Sequence, residues 1–197
     1  MWKLFYPLRY FRLKNDEKRW LDWIPTLVLT LIVWAPFAFV PGASFFRPDG
    51  FLDKFLGLAG ALTGFYVAAL VAAATFAHPD LDKTIRSGPI ALIEKDSDGR
   101  PVAQALTRRE FACTVFGYLA FAAFAVSLFS AIAVGVSEAP WAKILGATVA
   151  YYVRAIVALC FSLGIAHMTV ATCLGLYYMM DRLYRSDRQI ISRKISA

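Results

Sequence analysis

The long apolar runs of this sequence contain no acidic residue. Across the chain 14 Asp and Glu stand against 21 Lys and Arg, a net charge of +7. Proton- or cation-coupled transporters normally carry an intramembrane carboxylate, so that class is disfavoured. Histidine occurs twice, as His78 and His167, and cysteine three times, as Cys113, Cys160 and Cys173, with no ligand-like spacing. Such scattered thiols read as small apolar fillers inside helices, and no metal site is expected. A glycine-rich phosphate loop, a nucleophile elbow and a zinc-protease helix motif are also missing. No catalytic, cofactor-binding or metal residue is assigned, and the chain is expected not to be an enzyme.

What the chain has in excess is apolar length. Hydrophobic residues make up 59% of it, above the roughly half found in soluble domains. Residues 23–40, 55–77, 111–136 and 153–180 each form a run long enough to cross a hydrocarbon core of about 30 Å as a helix. A barrel would instead show alternating segments of about ten residues. The expected fold is an all-α integral membrane protein with four transmembrane helices in residues 23–180. Residues 1–22 precede them as a basic, aromatic segment too charged for a cleavable signal, and residues 181–197 follow as a basic tail.

Lys and Arg set the orientation, because they accumulate in cytoplasmic connections. Seventeen fall in the N-terminal segment, the 78–110 connection and the tail. The other side has Arg47, Lys54, Lys143 and Arg154. Both termini and the 78–110 connection are therefore expected in the cytoplasm.

That connection reads "GPIALIEKDSDGRPVAQALTRREF". Short apolar runs flank the turn residues Asp96 to Gly99, which predicts a small cytoplasmic β-hairpin between helices 2 and 3. Glu94, Asp96, Asp98 and Gly99 fall at EF-hand positions, but Ala105 stands where the closing Glu belongs, so calcium is not expected. A lone hairpin is marginal in water and must lean on the tail, a neighbouring subunit or a soluble partner. Its open edge suits strand addition. Ile90, Leu92, Ile93, Val102 and Leu106 are the candidate docking residues for a cytosolic protein.

Three further groups are singled out. Lys3, Arg9, Arg12 and Lys14, set among Trp2, Phe5, Tyr6, Tyr10 and Phe11, are expected at the headgroups of anionic lipids, at about 1 kcal/mol per basic residue. No nucleic-acid recognition fold accompanies them. Gly57, Gly60 and Gly64 form a smooth helix face with a G-x-x-x-G step, suited to packing within the monomer or between subunits of a homo-oligomer.

Arg154 and His167 are the candidate intramembrane polar residues. If the last span begins near residue 153, Arg154 snorkels to the interface between aromatic belts at Tyr151, Tyr152 and Tyr177, Tyr178. If it begins near residue 141, Arg154 is deep and either pairs with a carboxylate or lines a cavity. His167 falls in mid-span in either frame. It either bonds a neighbouring helix, with Thr63, Ser127 and Ser130 as candidates, or serves as a proton-sensing or pore-facing group.

The overall plan, with its basic N-terminus, four spans, hairpin in residues 89–107 and short basic tail, resembles the membrane subunit of the bacterial Kiwa antiphage defence system. The likeness is one of plan across the whole chain and carries no diagnostic motif. It implies a homotetramer in the bacterial inner membrane that senses membrane disturbance during infection and holds a soluble effector. The reading that follows is a non-enzymatic, multi-pass anchor and sensor that recruits a cytosolic partner. The alternative is a small homo-oligomeric ion channel or pore-forming effector.

Overall fold

The computed structural model describes residues 2–14, 16–40, 42–77, 81–82, 84, 91–95 and 101–195. A 3₁₀ segment, Trp2–Arg12, leads into a short strand β1, Leu13–Lys14, and helix α1, Asp16–Phe39. After a loop comes α2, Phe51–Thr75, then strands β2, Ala91–Lys95, and β3, Pro101–Ala105. Helix α3, Arg108–Gly135, a short α4, Trp141–Leu145, and the long α5, Ala147–Ile195, complete the chain.

Among the described residues, four helices are long and apolar enough to cross a membrane: Asp22–Phe39 within α1, α2, α3, and Ala147–Tyr177 within α5. Their packed order differs from their chain order. α1 lies on α5, α5 on α3, and α3 on α2. The outer helices are therefore the less covered, with 17% and 11% of the windows in α1 and α2 buried against 33% and 39% for α3 and α5. Leu27, Leu31, Phe65, Val71, Phe124 and Phe129 all point outward, as lipid-facing side chains do.

Lipid is as apolar as these side chains, so interhelical polar contacts and close packing must hold the helices together. Trp34 donates its indole N–H to the Ala155 carbonyl at 3.1 Å, tying α1 to α5. The Tyr66 and Thr172 hydroxyls meet at 2.7 Å, tying α2 to α5. Each such bond contributes about 0.6 to 1.7 kcal/mol. α2 buries Leu52, Ala59 and Tyr66, spaced seven residues apart on one stripe. On α1 the buried stripe is polar: Asp22, Thr26 and Thr30 are spaced by four, and both threonine hydroxyls donate to the carbonyl four residues back.

Local chemistry fixes the ends. Thr107 caps α3 in a reciprocal box with Glu110. Arg109, in the same first turn, donates to the Ala73, Ala74 and Phe76 carbonyls at the end of α2, and forks onto Asp82 at 2.8 and 3.3 Å. This hydrogen bond holds the exposed Asp82 carboxyl below its ordinary range. The break between α4 and α5 falls at Gly146, whose φ of 82° an L side chain rarely adopts.

β2 and β3 pair antiparallel, with Ile93 opposite Ala103. They do not stand alone. β1 adds to the other edge of β2, Leu13 opposite Leu92, so the sheet order is β1-β2-β3 and β2 is its centre. The support comes from the N-terminal segment, which is none of the three supports considered from sequence. Helix α5 runs without a break from Ala147 to Ile195, so residues 181–195 continue the last span.

Candidate functional site: a histidine beneath the N-terminal segment

The site is assembled by four elements. Tyr10, only 2% exposed, hangs from the 3₁₀ segment into the bundle, where its ring stacks on Tyr118 of α3 at 4.6 Å and 12°. Its hydroxyl reaches the buried Asp22 carboxylate of α1 at 3.2 and 3.3 Å. The Tyr118 hydroxyl meets Nδ1 of His167 on α5 at 2.6 Å. Around the imidazole stand the rings of Tyr10, Phe11, Trp23 and Tyr118, with centroids 5.2 to 6.0 Å away.

A carboxylate, two phenols and an imidazole thus form a buried polar cluster closed over by aromatic rings. In a low-dielectric interior such a network strengthens its own bonds and admits few alternative arrangements, so it rigidifies what it joins. What it joins is the N-terminal segment to three spans. Two residues beyond Phe11, Leu13 is buried in the same core as Tyr10 and belongs to β1. One short stretch of backbone is both the plug of the cluster and a strand of the sheet.

His167 bonds Tyr118, and the partners considered for it are engaged elsewhere or lack one. Thr63 donates to its own helix at Ala59, while Ser127 and Ser130 have buried hydroxyls without a partner among the described residues. His167 also sits five residues past the midpoint of the Ala147–Tyr177 span, about 7 Å toward the sheet end. Tyr10, assigned from sequence to the lipid headgroups, is core. Asp22 was counted with the charged N-terminal segment and is instead 7% exposed at the head of the first span. Tyr118 was not singled out. The period-four spacing of Asp22, Thr26 and Thr30 is the sequence signal that marks the polar face.

Arg154 lies seven residues into α5, about 10 Å, and donates to the Ser137 carbonyl of the connection after α3 at 3.2 Å. Its side chain is exposed, as are the neighbouring rings of Tyr151 and Tyr152. The bond to Ser137 needs one donor and no fork. Arg154→Lys is therefore expected to leave expression and thermal stability within about 0.5 kcal/mol of wild type, read from the melting of the purified chain. Loss of assembly in that variant would show that a forked partner is required.

The other predicted residues are dispersed. Ile90 lies outside the described residues. Leu92 and Ile93 are in the central strand and Val102 in the edge strand β3. Leu106, expected to face a partner, is 4% exposed and belongs to the core with Tyr10, Leu13 and Phe111, because the chain turns inward there to start α3. Gly57, Gly60 and Gly64 are exposed, and a Cβ on any of them would meet nothing within 4 Å, so they do not serve packing within the monomer. Gly175 does serve it, since a Cβ there would come to 3.0 Å from the Val115 side chain. Cys160 and Cys173 are exposed rather than buried fillers. Arg9 donates to the Tyr6 hydroxyl and stacks over its ring, while Arg12 is exposed. Lys3 lies in the 3₁₀ segment and Lys14 in β1.

No family model, characterised protein or solved structure matches this chain.

Proposed function

We propose that this chain is a non-enzymatic membrane anchor and sensor, an oligomer that presents its sheet to a cytosolic protein. The observation that carries the reading is the double role of residues 10–14. A disturbance that shifts α3 against α5 changes the seat of Tyr10, and the same backbone, three residues on, is a strand of the sheet. The mechanism needs no catalytic group, only a membrane-embedded contact that is mechanically continuous with a docking surface. The plan-level resemblance to the Kiwa membrane subunit adds antiphage defence as the setting and a tetramer as the assembly.

In this reading the partner adds to the outer edge of β3, since β1 occupies the other side of β2. Val102→Lys with Ala103→Lys places a charge on each face of that edge strand, which opposes strand addition. Partner co-purification from the native host is expected to be lost while membrane insertion and oligomer mass stay unchanged. Retention of every partner would sink the docking reading.

The sheet and the described ends of the chain, Trp2 and Ile195, belong to one end of the bundle, and the connections at 42–50 and 136–146 to the other. The excess of Lys and Arg at the sheet end supports the reading that this end is cytoplasmic. Thiol labelling of single cysteines introduced into a variant lacking the native three is expected to show Ser97→Cys protected in intact cells and Ser44→Cys reactive. The reverse pattern would overturn the orientation.

A small channel is the second reading. It is favoured by the buried, unpartnered hydroxyls of Ser127 and Ser130 on α3 and Ser162 on α5, groups that water satisfies in a wetted path. Bilayer recordings of the purified chain separate the two, since an anchor passes no current.

A further inference from the structure

At the end of the bundle away from the sheet, the end of α1, the loop at residues 42–47, the connection after α3 and the first turns of α5 enclose a cavity of about 760 Å³. That is within the range of roughly 300 to 1,000 Å³ typical of ligand sites. Its floor is aromatic: Trp34, Phe37 and Phe46 are half-buried and Phe45 is 5% exposed. Phe45 packs edge-on against Phe37 and Phe46 at 5.0 and 4.8 Å, so the floor is one continuous apolar surface.

The rim is polar. Arg47, Arg154 and Glu138 are exposed there and give it a net charge of +1. Of the five N–H donors of Arg154, one is engaged by the Ser137 carbonyl, and neither arginine forms an ion pair among the described residues. Ser137 also lines the cavity, and its hydroxyl is buried without a partner among the described residues. The exposed Tyr151 and Tyr152 rings mark this level as an interfacial aromatic belt. An apolar floor, a cationic rim and an idle hydroxyl at headgroup depth match one occupant.

We propose that this cavity binds a single anionic phospholipid, its phosphate on Arg154 and Arg47 with the Ser137 hydroxyl donating, and its upper acyl segment on the aromatic floor. The site is independent of the sheet and of the docking reading. It adds a specific lipid contact at the far end of α5, the helix that carries His167.

The test uses the full-length purified chain in detergent, titrated with dioleoyl phosphatidylglycerol and followed by native mass spectrometry. Dioleoyl phosphatidylcholine and inorganic phosphate form the comparison arms. The anionic lipid is expected to bind about tenfold or more tighter than the zwitterionic one, and inorganic phosphate weaker still, since it cannot use the floor. Arg154→Gln and Arg47→Gln each reduce binding about tenfold, and Ala38→Phe, which fills the cavity without touching its charge, reduces it as much. Lys143→Gln, a nearby cation that does not line the cavity, leaves binding unchanged. Should Arg154→Gln fail to assemble, Arg47→Gln and Ala38→Phe still decide the matter. Equal affinity for both lipids, equal affinity for free phosphate, full binding by the Ala38→Phe chain, or an equal loss in Lys143→Gln would each overturn the proposal.

Discussion

Tyr10→Ala is expected to release the whole N-terminal segment, costing about 3 to 5 kcal/mol, the usual loss for deleting a large buried ring. Three contributions add up there: the ring burial itself, its stack on Tyr118, and the hydroxyl that satisfies Asp22. Without the ring, His167 loses one wall of its aromatic enclosure and β1 loses the anchor three residues before it. Hydrogen exchange should then quicken through residues 8–14 and across β2, whose ladder to β1 opens, while α2 and α3 keep their protection. Tyr10→Phe separates ring from hydroxyl. It keeps the stack and is expected to cost about 1 to 3 kcal/mol, the loss of one buried hydrogen bond to the Asp22 carboxyl. If Tyr10→Ala leaves exchange at Leu13 and Leu92 unchanged, membrane core and sheet are not coupled through this segment, and the sensor mechanism proposed above fails.

Gly60→Leu with Gly64→Leu is expected to convert the proposed oligomer to monomers while slightly stabilising each monomer. The two effects have opposite signs for separate reasons. Both glycines are exposed and open to space in the single chain, so added side chains displace nothing, and removing Gly from a helix interior gains roughly 1 kcal/mol per position. An interface between subunits built on the smooth face of Gly57, Gly60 and Gly64 depends on close backbone approach, which leucines prevent. Mass in detergent, measured by light scattering, should fall to a single chain of 21.9 kDa plus bound detergent, with a raised melting temperature. An intact oligomer in the double variant would place the subunit contact on another helix.

Some of this was legible in the residues. Four runs of apolar residues gave four spans because hydrocarbon forces each segment to satisfy its backbone internally, so a span's existence is a local property of composition. The boundaries shifted by a few residues for equally local reasons. Gly146 ends the preceding turn, so the last span starts at Ala147, and α1 extends back through charged residues to Asp16. That an even number of spans returns both termini to one end follows from counting alone.

The cluster around His167 was not legible, because each member has a plausible isolated role. Tyr10 among arginines reads as an interfacial aromatic, Asp22 as part of a charged leader, and Tyr118 as one ring among many. Only the packed order α1, α5, α3, α2 brings α1 and α3 to opposite sides of α5, and only the fold of Trp2–Arg12 back against the bundle supplies the ring that closes the site. Glycine roles were decided in the same way, since a small residue invites approach but does not name the neighbour: Gly175 found Val115, and the α2 glycines found nothing within the chain. The sequence by itself determined how many helices cross and which ends they share, through hydropathy and backbone satisfaction acting residue by residue. Tertiary structure decided which faces meet, because helix contacts in lipid rest on a few specific hydrogen bonds and close approaches, none of which any single segment contains.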